Sequence, residues 1–190
     1  HEINRVRADL GENPASHAWL WGQGQRPKLE SFEARWGIRG VTITAVDLIR
    51  GISELIGWPR IEVEGATGYL DTNYAGKGRA AVEALGEYDL VLVHVEAPDE
   101  AGHNGDARGK VVAIEQIDEH IVGPVHEKLQ TFDQWLMLVM PDHPTPVTVR
   151  SHTEDPVPWV IAGTRVPNVV SLPYTEAAAG LGELLATQGI

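Results

Sequence analysis

The sequence contains no cysteine among its 190 residues. This absence excludes disulfides, thiolate metal sites and cysteine nucleophiles, and it fits a reducing compartment. Any metal site must therefore be built from histidine and carboxylate side chains. Long apolar runs are also missing, since the stretch 90–95 is far shorter than the roughly 20 residues that cross a bilayer. We therefore expect no membrane-spanning segment.

Positive charge is scarce. The chain carries 15 Lys and Arg against 27 Asp and Glu, for a formal net charge of -12. Such a chain lacks the basic surface that nucleic acids and anionic membranes require, so we expect neither as a partner. The sequence also starts at His1 without an initiator methionine, a basic segment or an apolar signal region, which predicts that a preceding segment is missing. A hydrophobic content of 43% is sufficient for one sizeable core.

Strand-like and helix-like patterns alternate along the chain after an irregular Gly- and Pro-rich segment at 4–28. Alternation of this kind predicts an α/β fold with a largely parallel sheet and helices on both faces. The run 89–95 is almost wholly apolar and predicts a strand in the middle of the sheet. The predicted strands are 41–44, 60–63, 89–95, 135–140 and 157–162, and the predicted helices are 47–56, 74–85, 110–129 and 175–185.

Metal-ligating side chains follow the predicted strands. Asp99 and His103 come after strand 89–95, four residues apart, so that both would face one point if a helix begins there. Asp142 and His143 follow strand 135–140, and His152 precedes the last strand. Because loops converge at the carboxyl ends of parallel strands, these five side chains predict a site for two divalent cations, Mn, Zn, Co or Mg. The plainer alternative is that the carboxylates cap turns and the histidines are ordinary loop residues.

Three motifs resemble those of a known family. Asp-x-x-Gly-His-x-Gly at 99–105, Asp-His-x-Thr-Pro at 142–146 and His-Thr-x-Asp-Pro-Val-Pro at 152–158 resemble the metal motifs of cofactor-independent phosphoglycerate mutases, and they occur in the same order. Segments 45–51 and 65–74 are similar to the archaeal-type branch, which has also been labelled homoserine kinase-like. The resemblance implies an alkaline phosphatase-like fold that is incomplete here, with residues 1–190 as its carboxyl-terminal part and 1–28 following a missing inserted domain.

The resemblance also implies a distribution of ligands. Asp99, His103 and His152 would hold one metal ion, and Asp142 and His143 would belong to the second. In the family, an Asp and a nucleophilic Ser from an amino-terminal segment complete the second site, and nothing in this chain matches them. We therefore expect no catalytic serine here and an inactive isolated chain. The serines at 16, 31, 53 and 171 read as caps or surface hydroxyls, and Ser151 is a weak rival because it adjoins a predicted ligand.

The activity implied by the resemblance is the interconversion of 2- and 3-phosphoglycerate through a phosphoserine. Arg5, Arg7 and Lys28 are candidates for binding the phosphate or carboxylate of this small phosphorylated acid, although solvated surface charge is their simpler interpretation. Lys77 is interpreted as a charge on a helix surface. The family's glycolytic role, together with the missing cysteines and signals, predicts a cytoplasmic location.

Two other functions remain open from the sequence. One is a different phosphoryl-transfer enzyme of the same superfamily, homoserine kinase-like or a phosphohydrolase, because metal motifs do not identify a substrate. The other is a metal-binding module without chemistry of its own. An incomplete sheet would in addition leave an apolar edge uncovered, and we expect self-association through it.

Overall fold

The computed structural model describes residues 1–167 and 173–178. Short strands and helices alternate along this part of the chain, as the sequence pattern predicts. The elements are α1 (Glu2–Asp9), α2 (Phe32–Trp36), β1 (Gly40–Ile43), α3 (Asp47–Ile56), α4 (Tyr74–Ala84), β2 (Leu90–Val93), α5 (Ala97–His103), α6 (Ala107–Ile117), a π-helical segment (Asp118–Val122), α7 (Gly123–Leu129), β3 (Leu136–Val139) and β4 (Val160–Gly163).

Strands β1 and β2 form a parallel pair in which Gly40 lies opposite Leu90 and Ile43 opposite Val93. Every residue of β1 is buried, and Thr42 also forms a parallel bridge with Arg60 on the other side of the strand. The expected strand 60–63 is reduced to that bridge. The prediction that 89–95 lies mid-sheet is therefore wrong within the described residues, since β1 takes the central place.

Strands β3 and β4 form an antiparallel pair, with Leu136 opposite Gly163 and Val139 opposite Val160. One of the two described ladders is thus parallel and the other antiparallel. Leu136 is 60% exposed and Leu138 54% exposed, so this apolar strand is not covered on both faces within the described residues. Among residues 1–167 and 173–178, β3 has no strand partner on its second edge.

A long helical unit covers the core. It runs from Ala107 to Leu129 through α6, the π-helical segment and α7, close to the predicted helix 110–129. Asp106 caps its start by accepting a hydrogen bond from Gly109 N–H at 2.8 Å. Glycine at position 78 of α4 allows close contact with the π-helical segment, because a Cβ there would overlap the carbonyl oxygen of His120. The main buried cluster joins these helices to α5 and consists of Tyr74, Ala97, Ala113 and Ile121.

The amino-terminal segment is partly regular. Helix α1 occupies Glu2–Asp9, so the prediction of an irregular segment over 4–28 is wrong for its first part. The His1 side chain accepts a hydrogen bond from Ile3 N–H and thereby caps the helix. The Gly- and Pro-rich composition of the segment does not indicate this helix. Residues 12–31 contain no helix or strand. The predicted helix 175–185 falls mostly outside the described residues.

No helix in the described ranges combines the length and the apolar character that a bilayer span requires.

Candidate metal centre

Helix α5 brings the first two predicted ligands together. It begins directly after β2, with Pro98 in its first turn, where a missing N–H costs no hydrogen bond. Asp99 and His103 stand one turn apart on the same face, and His103 Nε2 lies 3.3 Å from Asp99 Oδ2. The Asp99 side chain is only 19% exposed. The condition stated for these two residues, that a helix begins there, is met.

The loop between β3 and β4 brings two more histidines to Asp99. His152 Nε2 lies 3.4 Å from Asp99 Oδ1 and 3.1 Å from His103 Nε2. The His143 ring packs on that of His152 with centroids 3.7 Å apart, and His143 Nδ1 lies 4.0 Å from Asp99 Oδ1. Single ligand atoms of Asp99, His143 and His152 all fall within 4.8 Å of one another.

The distances in this cluster suit a divalent cation. Two donors bound at about 2.1 Å to one ion, at tetrahedral or octahedral angles, lie about 3.0–3.4 Å apart. The two Nε2 atoms of His103 and His152 are 3.1 Å apart, and they lie 3.3 Å from Asp99 Oδ2 and 3.4 Å from Asp99 Oδ1, respectively. These side chains are thus spaced like neighbouring ligands of a single ion.

Proton placement on His103 supports the same conclusion. Its Nδ1 lies 3.0 Å from the carbonyl oxygen of Arg150, which can only accept, so Nδ1 carries the proton. In the neutral ring Nε2 is then a lone pair, and it faces a carboxylate oxygen and a second imidazole nitrogen. The contact of this lone pair with Asp99 Oδ2 is unfavourable without a cation between the two atoms, whereas the contact with His152 Nε2 depends on the tautomer of that ring. A backbone carbonyl that fixes the histidine tautomer is typical of metal sites.

Thr145 and Gly102 support the geometry of the cluster. Thr145 is 3% exposed, and its hydroxyl donates a hydrogen bond to Asp99 Oδ1, while its carbonyl oxygen accepts one from Lys110 Nζ at 2.7 Å. Glycine at position 102 allows α5 to lie directly against this residue, because a Cβ there would overlap the carbonyl oxygen of Thr145. The aspartate is therefore oriented from outside the ligand set.

The carbonyl that orients His103 belongs to a strained residue. Arg150 has a φ of 57°, the left-handed region that non-glycine residues seldom adopt. Its guanidinium lies over Gly105, where a Cβ would come within 2.6 Å of Arg150 Nε. Strain of this kind costs about 1–3 kcal/mol and is concentrated at functional sites.

Asp142 lies at the outer side of the cluster. Its Oδ2 is 3.5 Å from His143 Nε2, and its side chain is 72% exposed. All five predicted ligands therefore belong to one continuous group of side chains centred on Asp99. The assignment of Asp142 and His143 to a second ion remains a prediction.

The predicted substrate-binding cations do not lie in this group. Arg5 Nη1 is 3.4 Å from Glu2 Oε2, and Arg7 Nη2 is 3.9 Å from Glu12 Oε2, so both contact their own segment. Lys28 is exposed in the irregular stretch that follows. A role for these three residues in substrate binding stays a prediction.

Apart from Ser151, the serines in the described part of the chain make contacts with residues outside the predicted ligand set. Ser31 caps α2 by accepting a hydrogen bond from Ala34 N–H. Ser53 is buried, and its hydroxyl donates to the Ile49 carbonyl oxygen and is also hydrogen-bonded to the Thr42 hydroxyl. Ser16 contacts His17, and Ser151 is exposed beside His152. Ser171 lies outside the described residues.

Three ionisable residues beside the metal cluster are not predicted from the sequence to belong to the site: Lys77, His94 and Glu96. Interpreting Lys77 as a helix-surface charge is wrong, because this side chain is 0% exposed. Burial lowers the pKa of Lys77 to about 8 and also lowers the pKa of His94. Burial, with Asp99, Asp142 and Glu100 nearby, raises the pKa of Glu96. The alternation of His94 and Glu96 after a strand, and the glycines flanking Lys77, were the available signals.

The chain belongs to the Metalloenzyme superfamily, whose family model matches residues 6–188. Among curated relatives, it is similar to 2,3-bisphosphoglycerate-independent phosphoglycerate mutases. It is 52% identical over 167 residues to that of Methanothrix thermoacetophila, covering 87% of this chain and 43% of the relative. It is also 51% identical over 184 residues to mutase 2 of Methanothermobacter thermautotrophicus, covering 97% of this chain and 46% of the relative. The chain thus spans slightly less than half the length of these proteins.

Solved structures support the fold. A protein from Pyrococcus horikoshii matches with a TM-score of 0.80 and 31% identity, over 94% of this chain and 47% of the other. The cofactor-independent phosphoglycerate mutase of Thermoplasma acidophilum matches with a TM-score of 0.59 and 21% identity, over 94% of this chain and 41% of the other. The prediction of an incomplete α/β fold of the alkaline phosphatase type is confirmed, and superfamily membership supports binding of divalent metal.

Proposed function

We propose that this chain is the metal-binding part of a cofactor-independent phosphoglycerate mutase that interconverts 2- and 3-phosphoglycerate through a phosphoserine. The observation that carries the proposal is the convergence of His103 and His152 on Asp99 with ligand-like spacing. The similarity to curated mutases at 52% and 51% identity supplies the substrate. The glycolytic role of such enzymes extends the proposal to a cytoplasmic location.

In this proposal, the residues of the chain hold and orient the metal ions. Asp99, His103 and His152 are the ligands of one ion, and Asp142 with His143 contributes to a second, each Mn, Zn, Co or Mg. When bound there, divalent cations would supply positive charge for the oxygens of a transferring phosphoryl group. Thr145 and the Arg150 carbonyl keep Asp99 and His103 in the geometry that binding needs.

The nucleophilic serine lies outside this chain in our proposal. Ser31 and Ser53 are engaged in a helix cap and in buried hydrogen bonds, and Ser151 is the one described serine next to a ligand. The isolated chain is therefore expected to bind metal without turning over phosphoglycerate.

Calorimetric titration with Mn²⁺ and Zn²⁺, together with mutase and phosphatase assays of the same samples, tests this proposal. We expect metal binding that is lost in a His103→Ala/His152→Ala double variant, and no turnover. As the matched control, His126→Ala changes a histidine on α7 that contacts Gln130, and it is expected to keep the metal.

If the chain binds neither Mn²⁺ nor Zn²⁺, the proposed metal site is ruled out. Turnover of phosphoglycerate by the isolated chain would overturn the external serine and direct attention to Ser151 or to water. Phosphatase activity without mutase activity would instead favour a phosphohydrolase of the same superfamily.

A further inference from the structure

A second group of polar side chains lies at the end of β2, next to the metal centre. We call Thr44, Lys77, His94 and Glu96 the β2-end cluster. None of the four is among the ligands discussed above. His94 and Glu96 lie in the short connection between β2 and α5, and the contact between their side chains shows that both project to the same side.

Contacts from two directions fix the imidazole of His94. Its Nδ1 lies 3.2 Å from Thr44 Oγ1, which also accepts a hydrogen bond from Val46 N–H at 3.1 Å. Its Nε2 lies 3.4 Å from Glu96 Oε2. The Glu96 carboxylate is thus oriented by a ring that is itself held by the end of β1.

Lys77 anchors the backbone of the same turn. Its Nζ donates a hydrogen bond to the His94 carbonyl oxygen at 3.2 Å, and the whole side chain is buried. A buried ammonium group is expensive without a nearby negative charge, and Glu96 provides one. Helix α4 thereby fixes both the backbone and the charge of the segment that carries Glu96.

Glu96 lies close enough to the metal centre for the charges of Asp99, Asp142 and His143 to act on it, and it stays accessible. It is three residues before Asp99, and its side chain is 29% exposed. The charged groups acting on it are Asp99, Glu100, Asp142, His143, His94 and Lys77. Opposite it lies Gly68, where a Cβ would make ordinary contact with Glu96 at 3.8 Å.

A carboxylate in this place selects among the groups of a ligand. It repels the phosphate and the carboxylate of a phosphorylated acid, and it attracts a hydroxyl group that donates a hydrogen bond. Phosphoglycerates carry all three groups, so the hydroxyl is the one that gains from being placed beside Glu96.

We propose that Glu96 accepts a hydrogen bond from the free hydroxyl of a small phosphorylated hydroxy acid bound at the metal centre, with His94 and Lys77 as its positioning residues. This inference rests on the proposed function, and it adds a residue that discriminates hydroxy acids from phosphorylated acids without a hydroxyl.

The test compares two ligands on the Mn²⁺-loaded chain by calorimetry: 3-phosphoglycerate and 2-phosphoglycolate, which has no free hydroxyl. We expect the wild-type chain to bind 3-phosphoglycerate about tenfold more tightly or better, since hydrogen bonds to charged groups are among the strong ones. Glu96→Ala should abolish this preference while Mn²⁺ binding persists. Glu96→Gln, which keeps an acceptor oxygen, should retain part of it.

Glu115→Ala is the matched control, because Glu115 is an exposed glutamate on α6. It should leave the preference intact. NMR tests the role of His94 as a positioning residue. The ¹⁵N chemical shifts of the His94 ring should change in the Glu96→Ala variant and remain unchanged in the Glu115→Ala variant.

Equal binding of the two ligands to the wild-type chain, or an unchanged preference in Glu96→Ala, would overturn the inference and leave the proposed function standing. If neither ligand binds in a Mn²⁺-dependent manner, the proposed function and this inference both fail.

Discussion

At the scale of single residues, Thr145 is the group that supports the metal centre without binding metal. Its hydroxyl donates to Asp99 and lies 3.3 Å from His143 Nδ1. The motif Asp-His-x-Thr-Pro contains this threonine, yet the sequence does not show that it reaches a carboxylate 46 positions away. Contacts between segments distant in sequence depend on tertiary packing, which local patterns do not reveal.

Replacing Thr145 by valine keeps the shape of the side chain and removes the hydrogen bond to Asp99. We expect the affinity for Mn²⁺ to fall by about 10–100-fold, the usual effect of removing a group that orients a ligand. Calorimetric titration with Mn²⁺ measures this affinity. Thr131→Val, at an exposed hydroxyl that donates to the Lys128 carbonyl, should leave the affinity unchanged. Equal affinity in the two variants would show that Thr145 does not orient the site.

Lys77 gives the protein a pH-dependent contribution to stability. Burial lowers the pKa of Lys77 from 10.5 to about 8, so the unfolded chain binds more protons than the folded chain between these values. The free energy of unfolding contributed by this residue therefore rises with pH across that window. Relative to Lys77→Met, the wild-type chain should gain up to about 3 kcal/mol between pH 8 and pH 10.5.

Urea unfolding followed by tryptophan fluorescence at several pH values checks this expectation. Lys128→Met is the control, because Lys128 is only partly buried on α7. A stability difference between wild type and Lys77→Met that stays constant with pH would contradict a depressed pKa.

At the scale of elements, the sequence predicts most of the helix boundaries, but it predicts less well how buried each strand is and where it lies in the sheet. Helix α3 is found at the predicted Asp47–Ile56, and α4 ends one residue before the predicted end. Hydrophobic period determines such elements locally. The sequence does not reveal the exposure of Leu136 or the central place of β1, because burial and sheet order depend on contacts between segments distant in sequence. Five ligands were named from strand ends, whereas the β2-end cluster required the structure.

The contact between α5 and the loop that follows β3 should be sensitive to one methyl group. Gly102→Ala would place a Cβ against the Thr145 carbonyl, so we expect lower stability, by about 1–3 kcal/mol, and weaker Mn²⁺ binding. Gly51→Ala on α3 is the control, since no atom lies within 4 Å of its Cβ position. It should raise stability by about 0.5–1 kcal/mol and leave metal binding unchanged. Unaltered metal affinity in Gly102→Ala would mean that α5 and this loop move independently.

At the scale of the whole molecule, uncovered strands predict self-association. Leu138 on β3 is 54% exposed and Leu92 on β2 is 41% exposed, and exposed apolar strand edges readily pair with another chain. We expect oligomers in sedimentation velocity whose fraction grows with protein concentration. Leu138→Lys should reduce them, because a charged side chain blocks such pairing. Leu48→Lys, at an exposed leucine on α3, should not. A monomer at all concentrations would refute this expectation.

The cluster around Asp99 draws its members from both strand pairs. Asp99 and His103 follow β2, which pairs with β1, while His143 and His152 lie between β3 and β4. A cation held by these side chains would act as a cross-link that closes a loop of the chain between the two pairs. Because this chain has no cysteine, such coordination would be its counterpart of a disulfide. A chelator would remove this cross-link without any oxidation or reduction.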